Sequence, residues 1–95
     1  MKLINEINSI KKLRDEFLNN FRLDSNLQSI LREVVTNNNL NSIRIHKYLT
    51  HTGLIGKVKT ARFLESIELT EKTMIKELND LQIEEIVSFV GEIWS

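Results

Sequence analysis

Apolar residues recur every three or four positions along almost the whole chain, which is the period of a helix with one buried face. Ile4, Ile7, Ile10, Leu13, Phe17 and Phe21 form a first stripe. Leu27, Ile30, Leu31, Val34 and Val35 form a second, with Asp24 or Ser25 placed to cap it. The run Asn37-Asn38-Asn39 ends that helix, because asparagine side chains compete for backbone hydrogen bonds and tolerate turn geometry. Asn41 or Ser42 can cap a third helix, with Ile45, Tyr48 and Leu49 inward. Gly53 and Gly56 punctuate a tight turn. A fourth helix is expected over 57–67, with Val58, Ala61 and Leu64 facing the core and Phe63 and Ile67 also apolar. A short helical turn is expected near 74–78. Asn79 or Asp80 then caps a last helix carrying Leu81, Ile83, Ile86, Val87, Val90 and Trp94, the last read as a packing residue. No stretch alternates with period two, so no strand is expected.

The pattern describes an all-α protein of five helices. A chain of 95 residues is one domain's worth, with residues 1–25 as a long N-terminal helix and 26–95 as the rest of the domain. Absence of proline and only three glycines agree with helices. Absence of cysteine excludes disulfides, thiolate metal sites and cysteine nucleophiles. No apolar run is long enough for a membrane span. The N-terminal stretch mixes charges with apolar residues and lacks the pattern of a secretory signal. A cytoplasmic chain is expected.

Formal net charge is zero, which by itself argues against nucleic acid as a partner. The sum hides a pattern. Residues 34–64 carry five cations, Arg44, Lys47, Lys57, Lys59 and Arg62, and no acid. Residues 65–95 carry Lys72 and Lys76 against eight acids. The middle of the chain is basic and its last third acidic, and such asymmetry is more informative than the total.

The basic stretch contains a recognisable arrangement. Residues 48–64 read as helix, glycine-pinned turn, helix. The turn Leu54-Ile55-Gly56 leads directly into a helix start, where the first backbone N–H groups lack intrahelical partners and the dipole adds partial positive charge. A phosphate can accept those hydrogen bonds. Gly56 leaves the backbone open to it, Lys57 and Lys59 stand beside it, and Arg62 follows Lys59 by three residues on the same side. Val58 and Thr60 lie within the same first turns.

This segment resembles the hairpins of helix-hairpin-helix and helix-two-turn-helix proteins, which grip nucleic-acid backbone by shape and charge. Position 60 is Thr where those families usually have Ala. The wider pattern is similar to that of actinobacterial integration host factors, from about Leu27 to Val90. It is carried by Leu27, Ile30 and Leu31, by Ile43-Arg44-Ile45-His46-Lys47-Tyr48-Leu49, by Gly56-Lys57-Val58-Lys59, by Ile67-Glu68-Leu69 and by Leu78 before a capped final helix. The family more often has Gly at position 68. It commonly has Pro-Gly where this chain has Gly53 and Leu54, and an Arg-rich loop where this chain has Lys72-Thr73-Met74-Ile75-Lys76. The resemblance implies a nucleoid-associated protein that binds duplex DNA through its phosphates, with low sequence preference, and bends or compacts it. It implies Arg44, Lys47, Leu54, Ile55, Gly56, Lys57, Val58, Lys59, Thr60, Arg62, Lys72 and Lys76 as the nucleic-acid-binding residues. It implies no cofactor, no small-molecule substrate, a nucleoid location and a monomer.

Blander readings stand beside these. The turn can be a plain helix connection, and the lysines ordinary solvated charge. Arg62 can pair with Glu65 or Ser66, and Lys72 and Lys76 with neighbouring acids. Lys11, Lys12 and Arg14 read as a solvated face or as a second DNA contact. His46 and His51 are five apart, which is not the spacing of a helical metal pair, and no metal site is expected. No nucleophile has a base and an orienting group in the sequence, so no enzyme is expected. Two further functions remain open: RNA or ribosome association, since some small-subunit ribosomal proteins carry a similar hairpin, and a protein-interaction module using the acidic C-terminal third or the N-terminal helix.

Overall fold

Each apolar stripe folds as a helix, but the first helix ends at Asn19 rather than near residue 25, and Phe21, the last residue of its stripe, reaches the core from the connection that follows. The computed structural model describes the backbone of residues 2–94 and the side chains of residues 9–94. In chain order the elements are α1 (Lys2–Asn19), α2 (Leu27–Val35), α3 (Ile45–Thr50), α4 (Lys57–Ser66), a 3-10 turn (Ile75–Glu77) and α5 (Asp80–Trp94). Strands are absent among the described residues, apart from a single antiparallel bridge between Arg44 and Met74. The stripe positions Ile4 and Ile7 lie outside the described side chains.

Side-chain caps set the starts of α2 and α5. Asn79 caps α5 reciprocally: its Oδ1 accepts the Gln82 N–H at 2.8 Å, and Gln82 Oε1 accepts the Asn79 N–H at 3.0 Å. The cap of α2 is Asn26, not Asp24 or Ser25, and it accepts the Ser29 N–H at 3.4 Å. In the break after α2, the Asn37 side chain accepts the Asn39 N–H at 3.0 Å. Neither Asn41 nor Ser42 caps α3. The Asn41 amide donates backward to Val35 O at 3.0 Å, and Ser42 Oγ accepts from Arg14 Nη2 at 2.6 Å. The α3 start is held by main chain instead. Ile45 N–H donates to Thr73 O at 3.0 Å, Ile75 N–H to Ile43 O at 2.9 Å and Lys76 N–H to Asn41 O at 2.9 Å. The loop before the 3-10 turn thus takes the place of a capping side chain.

One apolar cluster joins all five helices. It runs from Leu18 and Phe21 through Leu31, Ile45, Leu49, Leu64 and Ile75 to Ile86 and Val90. Tyr48 joins α1 to this core. Phe17 stacks on its ring at 4.3 Å and 7°, and Phe21 meets it edge-on at 5.0 Å. Arg14 Nε donates to Asn39 O at 2.8 Å, and His51 Nε2 hydrogen-bonds Asn19 Oδ1 at 3.1 Å. Farther toward the N-terminus, Ile10 and Leu13 are exposed.

Three apolar residues read as part of inward-facing stripes point out. Val58 is 66% exposed, Leu81 64% and Trp94 61%. The inward face of α4 is set by Thr60 and Leu64, both fully buried. The Thr60 hydroxyl donates to Gly56 O at 2.8 Å, so threonine occupies a core position with its polar atom satisfied. Position 58 then lies about 200° around the helix from Thr60, on the solvent side.

The end of α4 is a Schellman turn. Leu69 N–H donates to Leu64 O at 2.8 Å and Glu68 N–H to Glu65 O at 3.1 Å. Glu68 takes the left-handed conformation, with φ 65°, and Gly53 does so in the turn before α4, with φ 79°. One position carries glycine where the conformation favours it, and the other carries a side chain that opposes it. We expect Glu68→Gly to raise unfolding stability by about 1 kcal/mol and Gly53→Ala to lower it by about 1–2 kcal/mol, both read from urea midpoints.

Burial raises the Tyr48 phenol from 10.0 to about 12. The folded chain therefore holds that proton more tightly than the unfolded chain. Stability is full below pH 10 and falls as pH rises from there to about 12. Comparing wild type with Tyr48→Phe in urea melts across this window should isolate a loss of roughly 2–3 kcal/mol that the variant lacks.

Candidate nucleic-acid interface

Two helices and six residues of turn build the site. The α3 helix ends at Thr50, whose hydroxyl donates to His46 O at 2.8 Å. Gly53 N–H donates to Thr50 O at 3.1 Å, and the left-handed Gly53 reverses the chain. Ile55 is buried and pins the turn to the core, which leaves Leu54 at 47% exposed. Gly56 is extended, with φ −71° and ψ 148°, and precedes the first turn of α4.

That first turn is uncapped: no side chain accepts from it. Thr60 N–H takes Gly56 O at 3.1 Å, while Lys57, Val58 and Lys59 are exposed. Nothing lies within 4 Å of the place where a Gly56 Cβ would stand. The backbone is therefore open to an approaching anion. His46 fixes the angle of this turn against α3. Its Nε2–H donates across to Lys57 O at 3.0 Å.

The cations around the turn are unneutralised. Arg44, Lys47, Lys57, Lys59 and Arg62 are all exposed, and none makes an ion pair among the described residues. Arg62 does not pair with Glu65, and Ser66 Oγ donates to Phe63 O instead. Lys72 and Lys76 are likewise exposed and without an ion pair among the described residues. They sit on the loop that holds the start of α3.

Lys47 is the hinge of the arrangement. A hollow of about 470 Å³ brings it together with Lys57, beside His46, Thr50, His51 and Glu71. A groove of about 570 Å³ joins Lys47 and Arg44 to Lys11 and Arg14 of α1, with Asp15 as the only acid in its lining. The basic surface thus continues from the α4 start across α3 to α1. Lys59 and Arg62 are exposed elsewhere around α4.

Eight of the sequence-derived residues divide into three groups, and Lys59, Arg62, Lys72 and Lys76 line neither hollow. Lys47, Lys57 and Arg44 are drawn together by these two hollows, and Gly56 lies open between helices. Ile55 and Thr60 are buried and act by support rather than contact. Leu54 and Val58 are exposed apolar residues at the tip. Three contacts were not legible in the sequence, although Arg14 itself reads there as a candidate second DNA contact. His46 clamps a carbonyl eleven residues on, Glu71 brings a negative charge into the cationic hollow, and Arg14 is anchored to the asparagine turn. No local spacing announces contacts of that range.

No helix among the described residues is long and apolar enough to cross a membrane. Comparison with known proteins finds no matching family model, no similar curated protein and no similar solved structure.

Proposed function

We propose that this chain binds duplex DNA through its phosphate backbone, with the α3–α4 segment acting as a helix-two-turn-helix hairpin of the kind its sequence resembles. The observation that carries the reading is the uncapped, solvent-facing first turn of α4, with Lys57 and Lys59 on it and Lys47 across from it. A phosphate oxygen placed there accepts free N–H groups and meets the positive end of the helix dipole. Lysine ammonium groups around it act as point charges and release counterions from the duplex. Arg62, Arg44 and the loop lysines Lys72 and Lys76 widen the footprint along neighbouring phosphates. Backbone contacts position a protein without reading bases, so low sequence preference follows. A footprint that continues onto α1 lets a duplex gain contacts by curving, which supports bending or compaction. The corresponding place in a cell is the nucleoid.

Titration against a random-sequence duplex at several salt concentrations tests the proposal. With three to five phosphate contacts, the slope of log K against log salt should be about −3 to −4.5. The double substitution Lys57→Glu/Lys59→Glu should abolish most binding while the helical circular dichroism stays unchanged. Gly56→Ala should weaken binding without altering the fold, since the added methyl meets only the incoming phosphate. Absence of binding at low salt, or full binding by the double variant, would overturn the hairpin as the site. Stronger binding to structured RNA than to duplex DNA would favour a ribosomal role instead.

A further inference from the structure

Two apolar exposures on this chain carry opposite charges around them. The first is a groove of about 460 Å³ between α4 and α5, lined by Phe63, Ile67, Leu81 and Phe89 with Glu84 and Glu85 on its rim. Phe63 of α4 and Phe89 of α5 stack directly on each other at 4.1 Å and 5°. Leu81 is 64% exposed and forms a wall. The α5 core is supplied by Ile83, Ile86, Phe89 and Val90, so the fold makes little use of the Leu81 side chain. The second exposure is the hairpin tip, where Leu54 and Val58 project beside Lys57, Lys59 and Arg62. Phosphate contact has no use for two large apolar side chains.

We propose that the hairpin tip of one copy docks into the α4–α5 groove of a second copy. Leu54 and Val58 would enter against the stacked phenylalanines and Leu81, removing apolar surface of both copies from water. Lys57 and Lys59 would meet Glu84 and Glu85, none of which makes an ion pair among the described residues. Long-range repulsion does not oppose the contact, because the chain has zero net charge. The two surfaces differ, so the contact is head-to-tail and repeats from copy to copy. Helix α4 carries the tip at its start and two groove residues, Phe63 and Ile67, toward its end. With two apolar anchors the interface is small. The chain is a monomer when dilute and associates at a concentration on the order of 100 µM.

Sedimentation equilibrium without nucleic acid tests this, so the result stands apart from the duplex-binding reading. Average mass should rise with concentration up to about 1 mM and rise less in high salt. Leu81→Ser leaves net charge unchanged and should weaken association at least about tenfold. Glu84→Lys/Glu85→Lys and Lys57→Glu/Lys59→Glu should each abolish association alone, and their mixture should restore it, because each then offers the other a complementary tip and groove. Circular dichroism checks that every variant keeps its helices. A wild type that stays monomeric throughout, a Leu81→Ser variant that associates like wild type, or a mixture that recovers nothing would each overturn the proposal.

Discussion

Helix α3 is six residues long, well below the length at which an isolated helix persists in water. Its existence depends on what grips it. The 73–76 loop supplies backbone hydrogen bonds at its start. The rings of Phe17 and Phe21 enclose Tyr48 in its middle. The α4 start is bound to it through His46, and α1 through His51. Helices α1 and α4 and the 73–76 loop hold this short helix or are placed by it, while α2 and α5 pack on each other. The direction of the α4 N-terminus is one of the quantities it sets. A site made of backbone N–H groups is only as well directed as the helix that carries them, so the proposed phosphate site depends on the contacts that hold α3.

Much of the architecture is legible in the residues because it rests on local rules. The spacing of Leu27, Leu31 and Val34 requires a helix, and Asn79 with Gln82 spells out a reciprocal cap. The inward positions of Ile45, Tyr48 and Leu49 follow from the same period. The rotation of α4 does not. Thr60 counts as polar in any periodic reading, yet it sits in the core with its hydroxyl bonded to Gly56 O, and Val58 is displaced outward as a result. The α3 cap is hidden for another reason: its partner, the Thr73 carbonyl, lies twenty-eight residues away. The charge pattern of the candidate site was readable, since no acid occurs between residues 34 and 64. The intrusion of Glu71 into the cationic hollow was not, because it depends on how the loop after α4 returns to α3.

The chain keeps its charges apart while balancing their total. Cations concentrate on the hairpin and on the facing part of α1, and acids on α5 and the loop before it. A neutral sum with separated signs gives a molecule with direction. Such a molecule can offer one face to a polyanion while the opposite sign remains available elsewhere, and its encounters are steered by orientation rather than by overall attraction. The Arg32–Asp80 ion pair, at 3.7 Å, fits this division: it lies where α2 meets α5 and leaves the hairpin charges untouched.

The clamp between α3 and α4 also has a chemical asymmetry. His46 donates from Nε2 to a carbonyl oxygen, which fixes that nitrogen as the protonated one of the neutral ring. Because the latch is made to the main chain of Lys57, the side chain at that position takes no part in holding the two helices together, so the geometry of the hairpin and the charge it carries can vary independently.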